Sequence, residues 1–228
     1  QEDKSIKKKE IVGWMLYDFA NSSYTTVILT AIYSGFFIQY IVPEDAPLRD
    51  SYWSFALAIA ILISSIMSPL VGAACDQTGR KKLFLIFSTL GCSLFTGMLY
   101  FVDVGDVWLG IVLVGLSNSC FMLSETVCAG ILPDISTREN VGKISGIAWG
   151  IGYFGGLASL AIILLVVTAK PDTDLQLFIE QNRLGALLTG VFFLISAIPT
   201  FVLLKDRRYA GKVAQKVELK KHFIATIR

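Results

Sequence analysis

Six long apolar stretches, separated by short polar connections, restrict the chain to one kind of fold. A helix that crosses a bilayer needs about 20 mostly apolar residues. Because backbone polar groups must be paired inside the hydrocarbon, apolar stretches of this length are helical. The sequence therefore predicts an all-α membrane protein with six transmembrane helices, at Ile11–Val42, Tyr52–Cys75, Leu83–Val102, Val107–Leu132, Ile144–Ala169 and Leu184–Leu204.

The composition agrees with a membrane protein and argues against several other classes. Charged residues make up 17% of the chain, against about 25% in soluble domains. Basic residues are not interleaved with aromatic ones outside the apolar stretches, so nucleic acid is not an expected partner. No Cys-x-x-Cys pair occurs, and we expect no disulfide framework, metal or cofactor. The cysteines lie in or beside apolar stretches, at Cys75, Cys92, Cys120 and Cys128.

The distribution of Lys and Arg predicts the orientation of the helices. With a cytoplasmic N-terminus, 17 of the 20 Lys and Arg residues fall in cytoplasmic segments. Cytoplasmic loops carry an excess of these residues, so both termini are expected inside. The predicted organisation is a cytoplasmic segment at 1–10, a six-helix transmembrane unit at 11–204 and a basic cytoplasmic linker at 205–228. The linker either lies on the anionic inner leaflet or stays solvated.

Two motifs connect the sequence to a known family. Residues 14–30 read WMLYDFANSSYTTVILT, and residues 72–82 read GAACDQTGRKK. The first resembles the first helix of the vacuole-effluxer-like branch of the major facilitator superfamily, typically Tyr-Asp-x-Ala-Asn-Ser-x-Tyr. The second resembles the superfamily's signature loop, from which Ala74, Cys75 and Gln77 depart. Residues 132–135 and 145–156 resemble the family's fourth-to-fifth helix region, with Gly130 as a departure.

The resemblance implies one half of a larger fold. Members of the superfamily have twelve spans in two six-helix halves. Residues 222–228, HFIATIR, resemble the linker before a seventh helix. We therefore expect the chain to be a truncated protein, a gene fragment or one part of a two-chain transporter. Its expected partners are the lipid bilayer, a small-molecule substrate, a proton as candidate coupling ion, and the missing C-terminal half or a second copy.

Two carboxylates, Asp18 and Glu125, lie within the predicted helices. An ionisable group inside the bilayer is costly and usually functional. In one hypothesis they exchange protons during transport or hold a cationic part of the substrate. In the other, Asp18 caps a helix or binds loop cations, and Glu125 pairs with a residue of the absent half. We favour the structural role for Asp18, because Lys-rich cytoplasmic segments are near, and the functional role for Glu125.

Other polar residues share the first helix with Asp18. A three-four spacing puts one set on a common face: Asp18, Asn21, Thr25 and Ile28. Such a face either lines a cavity or forms interhelical hydrogen bonds. The resemblance implies that the first and fourth helices line a central cavity. The candidates for a substrate or ion pathway are Tyr17, Asp18, Asn21, Tyr24, Asn118 and Glu125.

The resemblance of residues 72–82 to the superfamily's signature loop implies a conformational latch against the other half. Asp76 is expected to accept from backbone amides at a helix N-terminus, while the three cations stay in the cytoplasm. A role as a topology signal alone would explain the three cations of the loop but not its two glycines and Asp76. The latch residues are Gly72, Asp76, Gly79, Arg80, Lys81 and Lys82.

Regularly spaced glycines on the fifth helix predict close helix packing. Small-residue stripes let helix backbones approach. The resemblance places this stripe against the other half, and we do not expect it to bind substrate. The glycines are Gly142, Gly146 and Gly150, followed by Gly152 and Gly156.

The sequence therefore predicts a secondary transporter of small solutes that works by alternating access. The resemblance suggests amino-acid efflux. An enzyme is not expected, because the only histidine, His222, lies outside the predicted helices. The alternatives are a non-transporting six-helix scaffold or regulatory half, and a homodimeric half-transporter. The expected location is a bacterial inner membrane or, alternatively, a vacuolar membrane.

Overall fold

Six helices that are long and apolar enough to cross a membrane form the computed structural model, which describes residues 2–206, with side chains from Lys8 onward. The predicted linker beyond residue 206 lies outside the described residues. No strand occurs within residues 2–206, and the prediction of an all-α, six-span fold is confirmed. We number the helices spans 1 to 6: Lys8–Ile41, Arg49–Thr78, Lys81–Phe101, Val107–Ile135, Val141–Val166 and Leu175–Leu203.

The ends of several helices differ from the predicted ends. The helix that contains span 1 begins at Glu2, so most of the predicted N-terminal segment is helical. Span 6 begins at Leu175, so the predicted start at Leu184 is wrong. The reason is a helix cap: the side chain of Asp174 accepts a hydrogen bond from the amide of Leu177 at 3.0 Å.

Span 1 changes its winding along its length. It is α-helical to Tyr24 and π-helical over Thr25–Ala31. At Ile32 the backbone departs from helical angles, with φ −122° and ψ −65°. A short α-helical turn, Tyr33–Phe36, leads into a second π-helical segment, Phe37–Ile41. Because π-helical turns are wider than α-helical ones, side chains after Tyr24 point in directions that a 3.6-residue period does not predict.

Spans 1 and 4 form the centre of the bundle. Span 1 packs against spans 5 and 6, span 4 packs against spans 2 and 3, and spans 3 and 6 also pack together. Trp14, Asn21 and Tyr24 of span 1 each form a side-chain hydrogen bond to span 4. All four cysteines are free thiols. One side of spans 1, 4 and 5 carries grooves rather than packed neighbours.

A continuous row of apolar side chains covers the outer face of span 3. Its members recur every three or four residues and are exposed: Leu83, Phe87, Leu90, Leu94 and Met98. In water, an apolar patch of this kind marks an interaction or aggregation site. Lipid tails are as apolar as leucine, so hydrocarbon accepts the same row readily. The row and the helix lengths agree with an integral, multi-pass membrane protein.

Candidate solute pathway between spans 1, 4 and 5

A hydrogen bond between two polar side chains joins span 1 to span 4. The Asn21 Nδ2 group donates to Glu125 Oε1. Asn21 is buried, whereas Glu125 is exposed on the uncovered side of the bundle. One oxygen of the carboxylate is therefore held from inside the protein, while the carboxylate stays accessible from outside.

Glu125 lies in an open groove between spans 1, 4 and 5, with a volume of about 590 Å³. Asp18 lines the same groove, so the structure brings the two predicted carboxylates together. Trp14 forms part of the wall, where its Nε1 donates to the carbonyl of Cys128 at 2.8 Å. We call this groove the acidic groove. It is lined by Trp14, Asp18, Glu125, Cys128, Ala129, Gly142, Ser145, Gly146 and Trp149.

A second groove of about 340 Å³ lies between spans 1 and 5 and shares Trp149 as a wall. Thr25 lines it, in agreement with the predicted polar face of span 1. Ile28 was predicted on the same face, but it is fully buried because the helix widens at Thr25. We call this groove the hydroxyl groove. It is lined by Ser22, Thr25, Thr26, Trp149, Gly152, Tyr153, Gly156 and Leu157.

Three further candidates for the pathway are buried and line neither groove. The Tyr17 hydroxyl lies 2.7 Å from Thr89 Oγ1, and the Tyr24 hydroxyl lies 2.8 Å from Ser117 Oγ. Asn118 is 5% exposed. The two tyrosines therefore tie span 1 to spans 3 and 4. A role for these three residues in the pathway stays a prediction.

The two tryptophans of the acidic groove were not among the predicted site residues. Trp14 lies four residues before Asp18, so the α-helical period does place the two side chains on one face. That signal was present in the sequence. Trp149 joins the site only because span 5 packs against span 1, and no local pattern indicates this contact.

The loop between spans 2 and 3 turns at Gly79, which adopts a left-handed conformation with φ of 64°. Glycine is favoured there because a side chain would strain this backbone. The Gly79 amide donates to the carbonyl of Cys75 at 2.9 Å and ends span 2. Among residues 8–206, nothing lies within 4 Å of a Cβ added at Gly72, and Arg80 is exposed.

Lys81 connects this loop to the end of span 4. Its Nζ donates to Asp134 Oδ2 at 2.9 Å and to the Gly130 carbonyl at 2.8 Å, and it lies 3.7 Å from Asp76 Oδ1. The predicted helix cap by Asp76 is wrong, because Asp206 Oδ1 accepts from the Lys82 amide at 2.9 Å. A latch against a second half stays a prediction.

The glycines of span 5 fall into two sets. Gly152 and Gly156 pack against span 1, and so does Gly155, which the spacing of four did not include. No described residue lies within 4 Å of a Cβ added to the other three, Gly142, Gly146 and Gly150. The stripe predicted to face a second half therefore includes two residues that pack within this half.

The six long apolar helices and the open grooves between them define a multi-pass membrane protein. Residues 46–227 match the family described as "Vacuole effluxer Atg22 like", which is most of the chain. The chain belongs to this family, and the resemblance seen in its motifs is confirmed.

Curated relatives are longer than this chain. YxiO, an uncharacterized MFS-type transporter of Bacillus subtilis, is 26% identical over 90% of this chain and 48% of its own length. An uncharacterized protein of Aquifex aeolicus is 25% identical over 92% of this chain and 50% of its own length. Autophagy-related protein 22 of Pichia angusta is 23% identical over 69% of this chain and 32% of its own length. No solved structure matches the chain significantly. The chain thus spans about half the length of the first two relatives.

Proposed function

We propose that the chain is one half of a secondary active transporter that moves small solutes by alternating access. The acidic groove forms this half's part of the solute pathway. A second six-helix half, from the same polypeptide or another, covers the groove. The protein lies in a membrane with both ends of this half in the cytoplasm, as the excess of Lys and Arg in the corresponding segments indicates.

The bonded pair of Asn21 and Glu125 carries this proposal. An acidic side chain inside a membrane protein generally faces a cavity or pathway rather than lipid. Glu125 is exposed to the acidic groove, beside Asp18, and is anchored by one oxygen only. A carboxylate that is both fixed and accessible can exchange a proton or hold a cation in each transport cycle. We propose the proton as the coupling ion.

Amino-acid efflux is the more specific part of the proposal. The description of the family as an effluxer supports the direction, and the motifs of span 1 support membership of this branch. Efflux would proceed across a bacterial inner membrane or out of a vacuole. Amino acids suit the site, because their polar ends need hydrogen-bonding partners that lipid does not offer.

A substitution of Glu125 tests the site. Glu125→Gln in the complete transporter keeps an oxygen for the Asn21 amide but cannot titrate. We expect flux to lose its dependence on pH, with a change in unfolding free energy of about 1 kcal/mol or less. Flux is measured against pH in proteoliposomes, and stability by thermal unfolding in detergent.

Glu139→Gln is the matched control, because Glu139 lies exposed in the connection between spans 4 and 5. Its flux profile should match that of the wild-type protein. A stable Glu125→Gln variant with an unchanged flux profile would remove Glu125 from the mechanism. Asp18→Asn would then be the next variant to measure.

The need for a second half has its own test. Purified chain of residues 1–228 should give no saturable solute flux in liposomes, whereas the complete transporter should. Saturable flux from the monomeric chain would contradict the half-transporter. Flux from dimers alone would replace it with a homodimeric transporter, and absence of flux from the complete protein would favour a scaffold or regulatory role.

A further inference from the structure

The walls of the two grooves combine negative charge and hydrogen-bond acceptors with a few neutral donor groups, on Thr26, Ser145, Trp149 and Tyr153. Asp18 and Glu125 contribute carboxylates to the acidic groove. In the hydroxyl groove, Ser22 donates its proton to the Asp18 carbonyl at 2.8 Å, and Thr25 donates to the Ser22 carbonyl at 3.1 Å. A hydroxyl has one proton and two lone pairs, so these two oxygens can only accept from a solute. Among the described residues, no Lys, Arg or His lines either groove.

An exposed indole stands between the two grooves. Trp149 lines both of them, and 67% of its surface is exposed. Its ring packs at 81° against the ring of Tyr153, with centroids 4.7 Å apart. Trp14 lines the acidic groove from span 1. Indole faces attract cations through the ring quadrupole, and tryptophan does so most strongly.

From these walls we propose, building on the transport function above, that this half binds its solute through an ammonium group. The ammonium group lies against Trp149 and the carboxylates of Asp18 and Glu125, and the rest of the solute extends toward the hydroxyl groove. An ammonium group is positively charged and donates hydrogen bonds, which suits the two carboxylates and the accepting hydroxyl oxygens of these walls. A carboxylate on the solute would find no cationic partner among the described residues that line the grooves. The substrate class is therefore organic ammonium compounds, with the amino end of an amino acid as one case.

Matched probes separate the ammonium group from the carbon chain. Leucine carries both charged ends, 3-methylbutylamine lacks its carboxylate, and 4-methylpentanoate lacks its amino group. Binding of each to the purified complete transporter is measured by equilibrium dialysis in detergent. We expect the amine to bind and to compete with leucine, and the acid to do neither. Binding of the acid with an affinity equal to or above that of the amine would overturn the proposal.

Substitutions of the wall provide a second test. Trp149→Leu should weaken binding of 3-methylbutylamine about fivefold, while Trp149→Phe, which keeps an aromatic face, should weaken it less. Glu125→Gln should weaken it about tenfold, because a hydrogen bond to a charged group is lost. Phe154→Leu is the control on the same helix, since Phe154 is 70% exposed and lines neither groove.

Thermal unfolding of each variant separates binding from folding. If Trp149→Leu is unstable, Trp149→Phe and Glu125→Gln still decide the question. Equal affinity of Trp149→Phe and Trp149→Leu for the amine, with Glu125→Gln unchanged, would overturn the proposal. The dialysis result is independent of flux: a transporter of anions or neutral solutes would keep the proposed function and refute the ammonium site. Binding of the amine by a protein that gives no flux would keep the ammonium site and refute the proposed function.

Discussion

Span 5 carries two sets of glycines, one pressed against span 1 and the other open. A Cβ at Gly152 would lie 2.8 Å from Ser22 Oγ, and one at Gly155 would collide with the Phe19 carbonyl oxygen. A Cβ at Gly146 would meet no atom of the described part of the chain within 4 Å. The packed set is needed to build this half. The open set has no packing role within the described residues, so the contact proposed with a second half gives it one.

The largest difference between the sets is expected at Gly155. Gly155→Ala puts a methyl group against the backbone of span 1, which cannot rotate away as a side chain can. Overpacking of this kind costs about 3 kcal/mol of unfolding free energy. Thermal unfolding of the purified protein in detergent measures the loss, with Gly146→Ala as the control. A Gly155→Ala variant as stable as the wild-type protein would contradict the close packing of spans 1 and 5.

A smaller effect is expected at Gly156, where the neighbour is a side chain. An added Cβ would lie 2.6 Å from Thr26 Oγ1, and a hydroxyl can rotate away. Gly156→Ala should therefore cost about 1 kcal/mol of unfolding free energy. Combining it with Thr26→Ala should recover most of that loss, which a double-mutant cycle detects. Strictly additive losses would show that Thr26 is not the obstacle.

The smallest effect on stability is expected in the open set. Gly146→Ala should change the unfolding free energy by about 0.5 kcal/mol or less, as at other surface positions. In the complete transporter, the larger Gly150→Leu should leave this half folded and lower solute flux, because it obstructs the proposed contact at a glycine that lines neither groove. Stability and flux are measured on the same preparation. Unchanged flux in Gly150→Leu would contradict a contact with a second half at this position.

The number of spans was predictable because the thickness of a bilayer sets a minimum length for each apolar stretch. The helix ends were less predictable, because side-chain caps determine them. The cap by Asp174 starts span 6 at Leu175 rather than at the predicted Leu184. Asp206 takes the helix-capping role that the motif suggested for Asp76.

The candidate site was predictable as a set of residues but not as an arrangement. Asp18, Asn21 and Glu125 stood out because polar groups within apolar helices are costly and usually have a function. That Asn21 binds Glu125 depends on how span 1 crosses span 4, and no local pattern encodes this crossing. Trp149 was missed for the same reason. Ile28 was misplaced because its predicted position assumed α-helical winding beyond Tyr24.

Because part of span 1 is π-helical, the effect of deleting one residue depends on where in the span the deletion lies. A π-helical turn accommodates one residue more than an α-helical turn. Deleting a single residue from Thr25–Ala31 would let that turn return to α-helical winding without rotating the residues beyond it. The same deletion from the α-helical part, before Tyr24, would rotate the two flanking parts of the helix relative to each other by about 100°. Trp14 and Asp18 would then leave the acidic groove while the Tyr33 region stayed in place. Span 1 can therefore absorb a lost residue on one side of Thr25 and not on the other.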